Sequence, residues 1–497
     1  MAKPDALTST LARYLSSKLF SQFIGAVLGF LRPKLLSPEL FGIWTLLKLI
    51  PQYAKFSDIG IRTAFRVFYP WHQARGDKDR AEALVSGGIL GALLIDSLLA
   101  AAISTIALVG DWDVTMRFGL LAMAVVVIFQ GLHHSLFGAL KASHRFDIIS
   151  RANYIESSTL LLTTLILLPT LGIYGLLLSL LSSELAVVIF VSFRTELAVR
   201  WSRNILTMMA AMIRQGWPIM SLELAMVLVV TTDRFVVSFM LDTTALGYYG
   251  VALMIVNFLR NVPGTAREVL EPRLMADLAN TDRSELMSDH VLKPVLNAAF
   301  LMPLLIGPVA LAAPLAIDWL LPAYQPAGTP TQILACGVYF LALSVILRSA
   351  IVAIGRQRQA ALLMPLIVLA NILIAWLGIT LGYGLSGVAA ASGFAFMLLY
   401  LTLRRLLRSE LAATTATDRK ELIWVWPLFI LTCLLIWGLP RIISDMGLIG
   451  TSIRILTFIG ILFIVNWIAG HRLKLLSPLP FSVIGSHLGA IRLRRKR

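Results

Sequence analysis

The fold class predicted by this sequence is an all-α polytopic membrane protein, and three observations carry the prediction. Apolar residues make up 58% of the 497 positions and charged residues only 14%, a balance that a water-soluble chain of this length does not carry. The apolar positions fall in repeated runs of about 18–25 residues, long enough to cross a bilayer core of about 30 Å. The Lys and Arg residues then gather in alternate inter-span segments, as the positive-inside rule requires.

Fourteen spans are predicted, at 14–31, 40–61, 84–109, 117–138, 149–168, 173–193, 217–240, 246–270, 291–312, 331–353, 361–381, 384–403, 422–439 and 448–469. With the N-terminus cytoplasmic, 35 of the 43 Lys and Arg fall in inside segments. Arg32, Lys34, Arg117, Arg441 and Arg454 fall outside, and Lys48, Lys55 and Arg234 are mid-span. An even number of spans with both termini cytoplasmic is the economical solution. Met1–Ala12 has no cleavable signal pattern, so direct insertion is expected. Cys336 and Cys433 sit in apolar runs far apart in the chain and are expected to be buried thiols rather than a disulfide. The formal charge of +16 does not indicate nucleic-acid binding, because the bases are spread over short loops.

An internal repeat gives the domain organisation. A shift of 205 residues lays 13–67 over 218–272, so that Leu36 meets Leu241, Gly42 meets Gly247, Trp44 meets Tyr249, Lys55 meets Arg260 and Arg62 meets Arg267. Leu171–Leu176 resembles Leu381–Leu385 at a shift of about 210. Two six-helix lobes in parallel repeat follow, at 1–193 and 217–403, with two additional transmembrane helices at 422–469. Between the lobes, 194–216 reads as an amphipathic helix lying in the headgroup plane, with Arg200, Arg203 and Arg214 beside Trp201, Leu206 and Met208. A cytoplasmic linker at 404–421 and a basic cytoplasmic tail at 470–497 complete the chain, the tail an anchor for anionic lipids. Repeats of this kind place a substrate site between their halves.

The chemistry lies in ionisable residues inside spans, which are costly unless they face water or a partner. Lys48, Lys55 and Arg62 recur every seven residues and would form one basic stripe about 21 Å long on a continuous helix. Arg260 and Arg267 form the matching pair in the second half, and Arg234 lies deep in the seventh span. Together they describe a cationic cavity, against the plainer reading that side chains near the cytoplasmic interface, such as Arg62, Arg66 and Arg267, simply snorkel. Asp58, Glu223 and Asp233 are the candidates for ion coupling or for structural pairing with these bases. His133 and His134 are adjacent, so they face different sides of a helix, and no metal site is expected there. Outer loops are short. The longest, Ala313–Thr331, carries Trp319 and Tyr324, which could stack on sugar or pack against the protein.

Nucleotide and hydrolase chemistry finds no support. Gly382–Gly387 matches G-x-G-x-x-G but lies between two spans, without a strand–turn–helix context. There is no phosphate-binding G-x-x-x-x-G-K-[ST], no H-E-x-x-H and no nucleophile elbow. No cofactor and no enzymatic activity are expected.

Leu40-Phe41-Gly42-Ile43-Trp44 followed by Asp58-Ile59-Gly60 resembles the second-span signature of bacterial polysaccharide flippases. So do Thr232-Asp233-Arg234-Phe235 with Leu246-Gly247-Tyr248-Tyr249, and Tyr383-Gly384-Leu385-Ser386-Gly387-Val388-Ala389-Ala390. These motifs resemble the O-antigen and exopolysaccharide branch of the multidrug/oligosaccharidyl-lipid/polysaccharide exporter superfamily. The resemblance implies alternating access between two lobes in a bacterial inner membrane. It also implies a polyprenyl-pyrophosphate-linked oligosaccharide as substrate, and a polymerase and glycosyltransferases as partners in the pathway. Two alternatives are a multidrug antiporter of the same superfamily, whose cavity should favour carboxylates, and a membrane glycan polymerase or ligase. The latter is disfavoured by the short, nearly uncharged outer loops.

Overall fold

The computed structural model describes residues 4–74, 78–143, 145–195, 205–277, 291–411, 415–443 and 447–473, and among these no strand occurs. In chain order the helices are α1 (Pro4–Leu35), α2 (Pro38–Leu47), α3 (Leu49–Ala54), α4 (Ile61–Ala74), α5 (Lys78–Val109), α6 (Val114–Ala142), α7 (Phe146–Leu171) and α8 (Ile173–Ser192). They continue as α9 (Ile205–Met240), α10 (Thr243–Asp277), α11 (Lys293–Leu320), α12 (Gly328–Ala353), α13 (Gln357–Thr380), α14 (Gly384–Leu411), α15 (Thr415–Ile442) and α16 (Leu448–Leu473). Eleven of the described helices are long and apolar enough to cross a membrane. The expected spans outside that set are 40–61, 217–240 and 246–270, which carry Lys48, Lys55, Arg234, Arg260 and Arg267. The basic tail at 474–497, Arg75, and Arg200 and Arg203 of the linker lie outside the described residues. The rest of that linker, from Ile205, is the opening of α9 and continues without a break to Met240.

By packing, the chain forms two compact units. One comprises Met1–Met254, Ile317–Pro330 and Gly355–Ala395; the other comprises Ile255–Ala316, Thr331–Ile354 and Phe396–Arg497. In the first, Phe65, Ile89, Leu140, Ile149 and Val187 bring α4–α8 onto one buried core. In the second, Phe340 and Tyr339 pack on Phe429, and the Tyr339 hydroxyl donates to the Val425 carbonyl at 2.9 Å. Cys336 and Cys433 also belong to the second unit. They are free thiols distant in sequence, Cys336 buried and Cys433 half-buried.

The longest expected outer loop is mostly helical. Helix α11 runs through Pro303, Pro308 and Pro314 to Leu320, and a 3-10 turn at Pro322–Ala327 leads into α12. Proline inside a membrane helix is tolerated where neighbouring groups satisfy the freed carbonyls. Here Gln332 Nε2 donates to the Ala310 carbonyl at 3.1 Å.

The second expected span departs furthest from a continuous helix. It breaks at Lys48 between α2 and α3, and again between α3 and α4 at a turn in which Ile59 has φ +50° and Gly60 φ +99°. The Asp58 carboxylate holds that turn, accepting from the Gly60 amide at 3.4 Å and the Arg62 amide at 2.5 Å. It therefore caps α4 as N-terminal aspartates do. The seven-residue stripe does not survive the break, and Arg62 turns away from Lys48 and Lys55 into ion pairs of its own.

The shift of 205 residues also relates two features of the packing. Ser37 caps α2 by accepting from the Leu40 amide at 3.3 Å; Asp242 accepts from the Ala245 amide at 2.6 Å. These pairs are 205 residues apart, as are Gly42 and Gly247. A Cβ on Gly42 would strike the Thr243 carbonyl, and one on Gly247 would strike the Pro38 carbonyl. The contact is reciprocal, with each glycine admitting the backbone of the other repeat, the pattern of an isologous interface. Gly42→Val should therefore lower stability by about 1–3 kcal/mol, the range for overpacking. Gly25→Val, at a position with open space around it, should leave thermal unfolding in detergent unchanged; equal melting of the two variants would refute the close approach.

Candidate anion site and its supporting charges

The last turn of α1 carries Arg32, which folds over Trp44 of α2 with its guanidinium carbon 5.4 Å from the ring centre. Lys48, at the α2–α3 junction, places its ammonium 5.6 Å from the same ring. Trp44 is buried while Lys48 is exposed, so a buried aromatic face supports two cations. Arg32 and Arg234 are the charged groups that act on Lys48. The buried Arg234 of α9 donates from Nη1 to Gln52 Oε1 at 3.1 Å.

The three cations lack what usually accompanies them. The Nε atoms of Arg32 and Arg234 are buried without a hydrogen-bond partner. Among the described residues, no carboxylate stands within ion-pair distance of Arg32, Lys48 or Arg234. A buried donor without an acceptor is costly, and a charged one more so. The arrangement can be completed by an anion with several acceptor oxygens, as phosphate has. Lys55 lies farther along the same segment. It is exposed, with its ammonium 4.8 Å from the Phe56 ring centre and Glu223 as its charged neighbour.

Other residues singled out from sequence have different surroundings. Arg62 pairs with the buried Asp96, lies 4.0 Å from Asp58, and donates from Nε to Ser135 Oγ at 3.1 Å. It is a neutralised structural base. The Asp233 carboxylate accepts from Tyr249 at 2.7 Å and Ser392 at 3.2 Å, rather than from the adjacent guanidinium. Glu223 stands 3.8 Å from Arg66. Arg260 belongs to the second unit and donates to Asn257 Oδ1 at 2.9 Å. Arg267 lies on α10, its side chain outside the described residues. Trp319 is exposed, but Tyr324 is fully buried and donates to the Leu36 carbonyl at 2.9 Å, so Tyr324 packs and offers no sugar surface.

Arg32 and Asp96 were not among the site residues expected from the sequence. Arg32 reads as an ordinary basic residue at a helix end, and nothing local shows that α1 delivers it onto Trp44. Asp96 sits in an apolar run whose Arg62 partner is 34 positions away. Leu46–Ser57 and Leu224–Phe235, the segments that bear Lys48, Lys55 and Arg234, also contribute to an apolar cavity of about 860 Å³, completed by α5 and α6 side chains including Leu99 and Leu120.

Arg62→Ala strands Asp96 in the bundle and should cost about 3–5 kcal/mol, the range for breaking a buried pair. Lys48→Ala removes no partner and should leave the melting temperature in detergent within a few degrees of wild type. If Arg62→Ala melts no lower than Lys48→Ala, the pair is not structural.

Residues 33–325 match a protein-family model described as polysaccharide biosynthesis protein. Among solved structures, the chain is similar to one titled lipid II flippase MurJ, inward closed conformation. The identity is 16% and the TM-score 0.69, over 92% of this chain and 99% of that one. It is also similar to an inward-facing multidrug resistance MATE family transporter of the MOP superfamily (14% identity, TM-score 0.64, 80% of this chain and 96% of that one). An outward-facing MATE structure matches with TM-score 0.57 at 14% identity, over 81% and 96% of the two chains. No match to a curated protein sequence was found. At these identities the structural likenesses speak to the fold.

Proposed function

Since this chain belongs to the polysaccharide biosynthesis protein family, we propose that it is a flippase carrying a polyprenyl-pyrophosphate-linked oligosaccharide from the cytoplasmic to the outer leaflet. The observation that carries this reading is the cluster of Arg32, Lys48 and Arg234, with buried guanidinium nitrogens awaiting acceptors and, among the described residues, no carboxylate within ion-pair distance. A pyrophosphate supplies those oxygens. A cavity for organic cations would present the opposite charge. The apolar cavity on the same segments suits a ligand that joins an anionic head to a hydrocarbon tail.

The transport needs no nucleotide. A head carrying about two negative charges gains roughly 4–5 kcal/mol on moving outward across 100 mV, negative inside. Fixed cations offset the hydration that the phosphates lose on the way. In this reading fourteen spans form two six-helix lobes, 1–193 and 217–403, which alternate access. Lys55, with its repeat mate Arg260, guides the head, and Arg267 continues the second basic pair. The protein would reside in a bacterial inner membrane with both termini cytoplasmic. The glycosyltransferases that build the substrate and the polymerase that consumes it would be its partners, with O-antigen or exopolysaccharide as the end product.

Loss of one cationic partner of a phosphate costs on the order of 1.5–3 kcal/mol, about ten- to hundredfold in affinity. Lys48→Ala, Arg234→Ala and the Lys55→Ala/Arg260→Ala double variant should each cripple export, with lipid-linked glycan accumulating on the cytoplasmic leaflet. Arg145→Ala, at an exposed site paired with Asp147, serves as control. Full export by the double variant at normal protein levels would overturn the mechanism. The topology is checked separately: reporter fusions after Ala83 and Arg497 should read cytoplasmic, and those at Asp242 and Gln325 outside.

A further inference from the structure

Three ionisable side chains outside the cationic cluster converge inside the first unit. His133 of α6 and Glu184 of α8 are both buried, with Nδ1 and Oε2 2.8 Å apart. Glu156 of α7 is half-buried, and the ligating atoms of all three lie within 4.8 Å of one another. Phe137 closes over the imidazole, its ring centre 4.2 Å away. The helices that bear them are all long and apolar enough to span a membrane.

The surroundings limit how this cluster can be charged. On α6, His134 is exposed, with its ring centre 5.4 Å from that of His133, and Lys141 is the other charged group acting on His133. Arg62 and Lys55 act on His134, and Arg62 is already committed to Asp96. At the level of Glu156, α1 offers hydroxyls rather than charges: Ser17 accepts from Asn153 and Ser21 from Ser157. With imidazole neutral and both carboxylates ionised, the cluster would hold two negative charges in an apolar interior, and neighbouring carboxylates so placed do not both stay ionised.

We propose that His133, Glu156 and Glu184 form a proton-binding site in which Glu156 carries the exchangeable proton. The His133–Glu184 contact is a hydrogen bond in length and supplies an imidazolium–carboxylate pair, neutral as a unit. Glu156 is then neutral as the acid. It releases its proton to water and takes one back from it. The step is balanced: one O–H bond breaks, one proton leaves, and one net negative charge remains to be hydrated. None of the residues nominated for ion coupling from the sequence is in this site, and the proposal stands apart from which lipid is carried.

Infrared difference spectroscopy on the full-length protein in lipid nanodiscs tests it. At neutral pH the wild type should show a protonated-carboxyl band that bleaches as the pH is raised. The band should vanish in Glu156→Gln. His133→Gln removes the fixed positive partner and should add a second such band, from Glu184. If Glu156→Gln does not fold, as judged by thermal unfolding, the His133→Gln result decides alone. A wild type with no protonated-carboxyl band would overturn the proposal. So would a carboxylate signal that responds to added sodium or zinc but not to pH, which would make the site a metal-cation site.

Discussion

An ionised side chain inside an apolar bundle must be matched by an opposite charge, by hydrogen bonds or by water, and the first unit is arranged around that demand. Arg62 answers it with Asp96 and Asp58, and Asp233 with the hydroxyls of Tyr249 and Ser392. His133 answers it with Glu184. Arg62 also buries an unpartnered Nη1, but it has two carboxylates at hand, whereas Arg32 and Arg234 have none within ion-pair distance among the described residues. The contrast separates charges that hold the protein together from charges free to meet something else.

This sorting also explains why the second expected span is not one helix. A continuous helix would carry Lys48, Lys55 and Arg62 down one side, with Asp58 one turn from Arg62. The turn at Asp58–Gly60 rotates Arg62 into the bundle, where it finds Asp96 and Ser135. Lys48 and Lys55, ahead of the turn, stay exposed. One aspartate thus both caps a helix and contributes to the ion pair beyond it.

How much was legible follows from the range of the forces involved. Apolar runs and basic asymmetry are properties of single segments, so the helical membrane class could be read directly, and most expected spans coincide with helices. The 205-residue repeat was legible because glycine at a backbone crossing admits no substitute. The turn at Asp58–Gly60 was visible only as a motif, since the helical period of its flanks masks a local capping preference. Which base is paired was not legible at all. Arg62 and Lys55 look alike in sequence, and their difference rests on Asp96 of α5, a residue whose neighbours give no sign of it. The same holds for Glu156 and Glu184, each visible as an acid in an apolar run but joined to His133 only by the packing of three helices.

The reciprocal crossing of Gly42 and Gly247 holds two positions related by a shift of 205 in matching backbone settings, yet leaves the side chains beside them free to differ. Trp44 and Tyr249 are related by the same shift, yet Trp44 lies under Arg32 and Lys48 while Tyr249 donates to the carboxylate of Asp233. One aromatic position is a platform for positive charge and its counterpart an anchor for negative charge.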